Sequence, residues 1–73
     1  MNIKQYIEIN QENRFGKPVI KGTRISVADV LNWLANGMSR DEIIADFPEL
    51  GNEQINACLF FAAFREGHLA VSS

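Results

Sequence analysis

The chain is punctuated as a set of short helices. Ser26 followed by Asp29, and Ser39 followed by Glu42, are two serine-x-x-acid pairs. In such a pair the hydroxyl accepts a backbone N–H in the first helical turn, and the acid reaches back to the serine's own N–H. Gly37 lies between the two pairs as a residue able to adopt left-handed geometry after a helix, and Pro48 ends the second helical run. The spacing predicts one helix from Val27 to about Asn36 and a second from Arg40 to about Phe47. After a turn at Glu49 to Gly51, a third helix with Asn52 as its N-cap runs to about Glu66 and is stopped by Gly67. A helix, a tight turn, a short helix and a longer helix make a mainly α, tri-helical body over residues 26–66, in which the last two helices form a helix-turn-helix.

Ahead of this body, residues 1–25 read as an extended arm. Alternation of Gln5, Ile7 and Ile9 against Tyr6 and Glu8 predicts a short strand from Ile3 to Asn10. The connection from Asn10 to Gly16 is polar and turn-rich, and Pro18 to Lys21 forms a second extended segment before a turn at Gly22-Thr23. Pro18 fixes its own φ and pushes Lys17 towards extended geometry, so the cations of this stretch are held on a stiff support. Two short strands are marginal alone in water, so they must pack on the helices or pair with a second chain, and a contribution from dimer pairing is favoured. Residues 67–73 form a flexible C-terminal tail.

Charge is unevenly distributed. Lys4, Arg14, Lys17, Lys21 and Arg24 against Glu8 and Glu12 leave residues 1–25 at +3. Arg40 and Arg65 against Asp29, Asp41, Glu42, Asp46, Glu49, Glu53 and Glu66 leave the rest at −5. A basic arm on an acidic body points to a phosphate-bearing or acidic partner, with an ordinary solvated surface as the alternative. With 47% hydrophobic residues and 73 residues in all, the chain has the composition of one small folded domain, near the size where partner burial helps stability. No apolar run is long enough for a membrane span, and MNIKQYIEIN lacks the continuous apolar region of a secretory signal, so a cytoplasmic location is expected.

The third helix is apolar on more than one side. At 100° per residue, Ile55, Cys58, Leu59 and Ala62 form one stripe, expected to be core, while Ala57, Phe60 and Phe64 lie opposite, with Phe61 nearer the edge. Burying one large side chain stabilises by about 1.5–3 kcal/mol, so three phenylalanines left in water represent a loss comparable with a domain's whole stability. Either the N-terminal strands cover the second face or a protein partner does, and the partner is the favoured reading. Trp33 lies beside the first-helix stripe of Val27, Val30, Leu31 and Leu34, at the rim of the core and within reach of the same interface. The second helix is expected to bury Ile43, Ile44 and Phe47. The expected protein interface therefore comprises Trp33, Phe60, Phe61, Phe64 and Leu69.

Catalytic chemistry is not called for. The Gly16-Lys17 and Gly22-Thr23 order does not match a phosphate-binding loop, in which Lys directly follows the second Gly and Ser or Thr comes next. One cysteine, Cys58, and one histidine, His68, build neither an internal disulfide nor a zinc site. Cys58 falls on the core stripe as an inert small hydrophobe. Asp41, Asp46 and Glu49 fit a solvated helix face. No cofactor, metal, membrane or small-molecule substrate is expected.

The string GKPVIKGTRISVADVLNWLANGMSRDEIIADFPEL, followed by Ala57-Cys58-Leu59, closely resembles the family called domain of unknown function 433. The resemblance runs from about Ile7 to Phe64, and Gly16 to Arg24 is its most specific part. Phe60 and Phe64 depart from it, standing where small residues are more usual. The resemblance implies a homeodomain-like helix-turn-helix protein of the VapB type, an antitoxin of a type II toxin-antitoxin pair beside a PIN-like ribonuclease. On that expectation the chain is a homodimer, neutralises a ribonuclease toxin by direct binding, and binds operator DNA. Arg14, Lys17, Lys21, Thr23 and Arg24 would meet phosphates or an acidic partner, and Asn52, Gln54 and Asn56 would offer hydrogen bonds to base edges, beside a repelling Glu53. The competing expectation is a protein-binding module whose helix-turn-helix does not read DNA.

Overall fold

A computed structural model describes residues 2–9 and 16–65. The fold is mainly helical, with a 3₁₀ turn (Ile3–Gln5), a hairpin of β1 (Ile7–Ile9) and β2 (Pro18–Ile20), and three helices, α1 (Val27–Ala35), α2 (Arg40–Asp46) and α3 (Asn52–Arg65). The strands pair antiparallel with Ile7 opposite Ile20, Glu8 opposite Val19 and Ile9 opposite Pro18. The expected strand from Ile3 is thus shortened at its start. Asn2 accepts the Lys4 amide on its side chain at 3.1 Å and the Gln5 amide on its carbonyl at 3.1 Å, which curls the backbone before a ladder can form. Asn10, the Asn10–Gly16 connection short of Gly16 itself, and the predicted tail fall outside the described residues.

Both capping boxes are formed. Ser26 Oγ accepts the Asp29 amide at 3.0 Å while Asp29 accepts the Ser26 amide, and Ser39 and Glu42 do the same at the start of α2. α1 closes one residue earlier than expected, with Asn36 as its C-cap. Gly37 follows at φ +96°, its amide bonding the Leu34 carbonyl while the Met38 amide bonds that of Trp33. This pair of reverse bonds is a Schellman closure, which needs the left-handed residue that glycine supplies. α2 likewise stops at Asp46, since Phe47 precedes Pro48 and leaves the helical region at φ −130°, ψ 78°. A turn from Phe47 to Leu50, closed by the Leu50 amide on the Phe47 carbonyl, then drives Leu50 into the core.

Asn52 is the first residue of α3 and not its N-cap. Gly51 holds the cap position, its carbonyl accepting the Ile55 amide at 3.1 Å and its amide donating to Gln54 Oε1 at 2.9 Å. The glycine fits because the third helical residue supplies the missing side-chain acceptor, half of a capping box.

The core joins Ile7 and Ile20 from the hairpin, Ile25, Val27 and Val30 at the start of α1, Ile43 from α2, Leu50 from the turn, and Ile55, Ala57 and Cys58 from α3. Leu31, Leu34, Ile44 and Phe47 are only half-buried against it. β2 packs on α1, and α3 packs on α1, α2 and the 3₁₀ turn. The hairpin is therefore supported within the chain by the helices it covers.

Candidate functional site

The arm from Gly16 to Ser26 is a tightly bonded hairpin. Gly22 turns the backbone at φ +81°. Thr23 Oγ1 donates to the Ile20 carbonyl at 2.8 Å and accepts the Ile25 amide at 3.0 Å, and the Ile20 amide bonds the Ile25 carbonyl at 2.8 Å. With both lone-pair and proton used on its own turn, Thr23 holds the backbone in shape. Lys21 is anchored at two points, its amide on the Tyr6 carbonyl at 2.8 Å and its Nζ on the Lys4 carbonyl at 3.1 Å. Lys17 and Arg24 are exposed on the same hairpin. Arg14 lies outside the described residues, as does Leu69.

At the start of α3, two of the three candidate base-reading groups already have partners. Asn52 Oδ1 accepts from Arg40 Nη1 at 3.4 Å, a weak tie between α2 and α3, and Gln54 is committed to the Gly51 amide. Asn56 is exposed, and Glu53 is exposed nearby. A helix inserted into a major groove from this end would present a carboxylate and one amide to the bases.

The rest of the outer side of α3 is apolar. Leu59, Phe60 and Phe64 are 39%, 45% and 76% exposed. Phe60 and Phe64, one helical turn apart, stack with ring centroids at 6.5 Å and an interplanar angle of 20°. Their rings, together with Asn2, Ile3 and Lys4, line a shallow, open groove between α3 and the 3₁₀ turn.

The division of α3 into faces differs from the sequence expectation at three positions. Ala57, assigned to the outer side, is fully buried within the core cluster. Leu59, assigned to the core, is exposed. Phe61 packs against the core cluster. Trp33 is half-buried and stacks on Phe47 with centroids at 4.4 Å and planes 6° apart, so its ring braces α1 against the end of α2. Ile3 and Lys4, which sequence reasoning did not connect with α3, complete the groove.

Cys58 is fully buried, and burial pushes its thiol up to about 11 from an ordinary value of 9.0. The folded state thus keeps the proton where the unfolded chain releases it, so stability falls as pH rises from about 9 to about 11. A shift of this size corresponds to roughly 2–3 kcal/mol. Urea titrations across that window should show a steeper loss for the natural chain than for Cys58→Ala; parallel losses would contradict this account. Among the described residues, no group of three His, Cys, Asp or Glu side chains is arranged to hold a metal ion, and no helix is long and apolar enough to cross a membrane.

The described residues form a three-helix domain with a braced hairpin bearing Lys17, Lys21 and Arg24 and an aromatic outer face on α3. Residues 7–62 match the model of a family described as protein of unknown function (DUF433), and the chain belongs to that family. No match was found among curated proteins or among solved structures.

Proposed function

We propose that this chain is a binding protein that acts by docking the outer face of α3 onto another protein. The observation that carries the reading is the exposure of Leu59, Phe60 and Phe64 on one side of a helix whose other side carries the buried Ile55, Ala57 and Cys58. Exposed aromatics grouped in this way mark interaction surfaces, since aromatic anchors dominate interface energetics. The family resemblance supplies the partner class, a PIN-like ribonuclease toxin, with this chain as its antitoxin. A homodimer fits the same reading, because β1 has no second neighbouring strand among the described residues and Ile9 is half exposed there.

Co-expression with a PIN-like ribonuclease tests the proposal. The natural chain should suppress RNA cleavage, whereas Phe60→Ser/Phe64→Ser should not, with both chains showing the same helical content by circular dichroism. Equal suppression by both would refute the role of this face.

Operator binding in a homeodomain-like pose is the second reading, favoured by Lys17, Lys21 and Arg24 on one rigid hairpin. On this reading DNA contact runs through phosphates, with little base reading from α3. Its affinity should fall by roughly tenfold or more between low and moderate salt. A binding isotherm insensitive to salt would remove the hairpin from that role.

A further inference from the structure

Resting on the protein-docking reading, we infer that the groove between the 3₁₀ turn and α3 takes an acidic segment of the partner, seated by one or two apolar side chains. The apolar lining is Ile3, Phe60 and Phe64, and Asn2 and Lys4 complete it. Its volume is about 280 Å³ and it is open to solvent, which suits side chains presented by a larger molecule. Asn2 already accepts the Lys4 amide, so the carboxamide is turned to its own backbone.

The rim carries the specificity. Lys4 lines the groove, and Lys21 Nζ donates to the backbone carbonyl of Lys4 at 3.1 Å, which holds a second cation on the 3₁₀ turn that forms one side of the groove. Both lysines are exposed, and among the described residues neither ammonium forms an ion pair. Among the described residues, the nearest carboxylate on the outer side of α3, Glu53, is seven residues before Phe60, about 10 Å along the helix axis. An apolar seat lined by Lys4, with the Lys21 ammonium held on the same 3₁₀ turn, complements a segment whose anchors are flanked by Asp or Glu. The opposite arrangement, apolar anchors flanked by Lys or Arg, would be repelled at the same rim. A nucleic-acid duplex, whose bases stay stacked inside, would satisfy the lysines but would leave the phenylalanines against water.

Three fluorescent amphipathic peptides test this, sharing Leu and Phe anchors at helical spacing and differing only in flanking residues, Glu, Gln or Lys. They are titrated into the full chain while the Phe60 and Phe64 ring signals are followed by NMR. The Glu peptide should bind roughly tenfold more tightly than the Lys peptide at low salt, should perturb both rings, and should lose its preference, or reverse it, with Lys4→Glu/Lys21→Glu. Phe64→Ser should weaken all three. Binding at the two rings with no dependence on peptide charge overturns the inference while leaving the docking face intact. Failure of every peptide to reach the rings overturns it too, and the ribonuclease assay then judges the docking reading separately. If the chain alone is a dimer that Phe64→Ser dissociates, a second copy fills the groove and the inference also fails.

Discussion

Ile55→Ala is expected to lower the melting temperature of the isolated chain by about 15–30 °C. Ile55 is wholly buried where α3 meets the other helices, and it belongs to the same core cluster as Val30, Ile43 and Cys58. Truncating such a side chain removes its transfer free energy and leaves a cavity, together about 2–5 kcal/mol. A chain of 73 residues has roughly 4–11 kcal/mol in total at typical stability per residue. In a domain of this size each kilocalorie moves the midpoint by about 4–8 °C. Ile55→Val, which removes one methyl group, should cost about 1 kcal/mol and a correspondingly smaller shift. Thermal denaturation followed by circular dichroism measures both. A shift of only a few degrees for Ile55→Ala would mean that α3 does not pack through this face.

The second large effect lies on the opposite side of the same helix and has the reverse signature. Phe60→Ser and Phe64→Ser should leave the melting temperature within a few degrees of the natural chain, because both rings are substantially exposed before partner binding. Affinity for the ribonuclease should nevertheless fall by roughly 30- to 1000-fold for the double variant, the range spanned when aromatic anchors worth about 2–4 kcal/mol are lost. Calorimetric titration of the purified pair reads this directly. Leu59→Ser on the same face should cost less, since leucine is seldom a dominant anchor. If the double variant unfolds and binds in proportion, the phenylalanines are structural and the docking account fails.

This contrast shows which parts of the molecule were legible in the residues. The two serine-x-x-acid pairs, Gly37 and Pro48 act through local backbone chemistry, so helix starts and stops follow from neighbours within four residues. Where a boundary moved, a local competitor explains it. Asn2 closes a 3₁₀ turn in place of the first half of a strand, and Gln54 shifts the cap of α3 back to Gly51. The faces of α3 were harder because the helix is apolar nearly all round, so periodicity alone could not orient it. Ala57 is buried and Leu59 exposed because the core face of α3 is centred nearer Phe61 than the spacing suggested, with residues more than fifty positions away in sequence, those of the 3₁₀ turn, packed on the same helix. The cationic groove was illegible as well. Lys4 and Lys21 come together through long-range bonds, the Lys21 amide on the Tyr6 carbonyl and Lys21 Nζ on the Lys4 carbonyl.

The account's central claim, that the outer face of α3 is left open for a partner, is tested most directly by paramagnetic quenching of side-chain NMR signals with a soluble nitroxide, before and after adding the ribonuclease. In the free chain Phe64 should be quenched most, Phe60 and Leu59 less, and Ile55 hardly at all; adding the partner should shield Phe60, Phe64 and Ile3 together. Rings of Phe60 and Phe64 already shielded in a monomer, or still fully quenched within the complex, would contradict it.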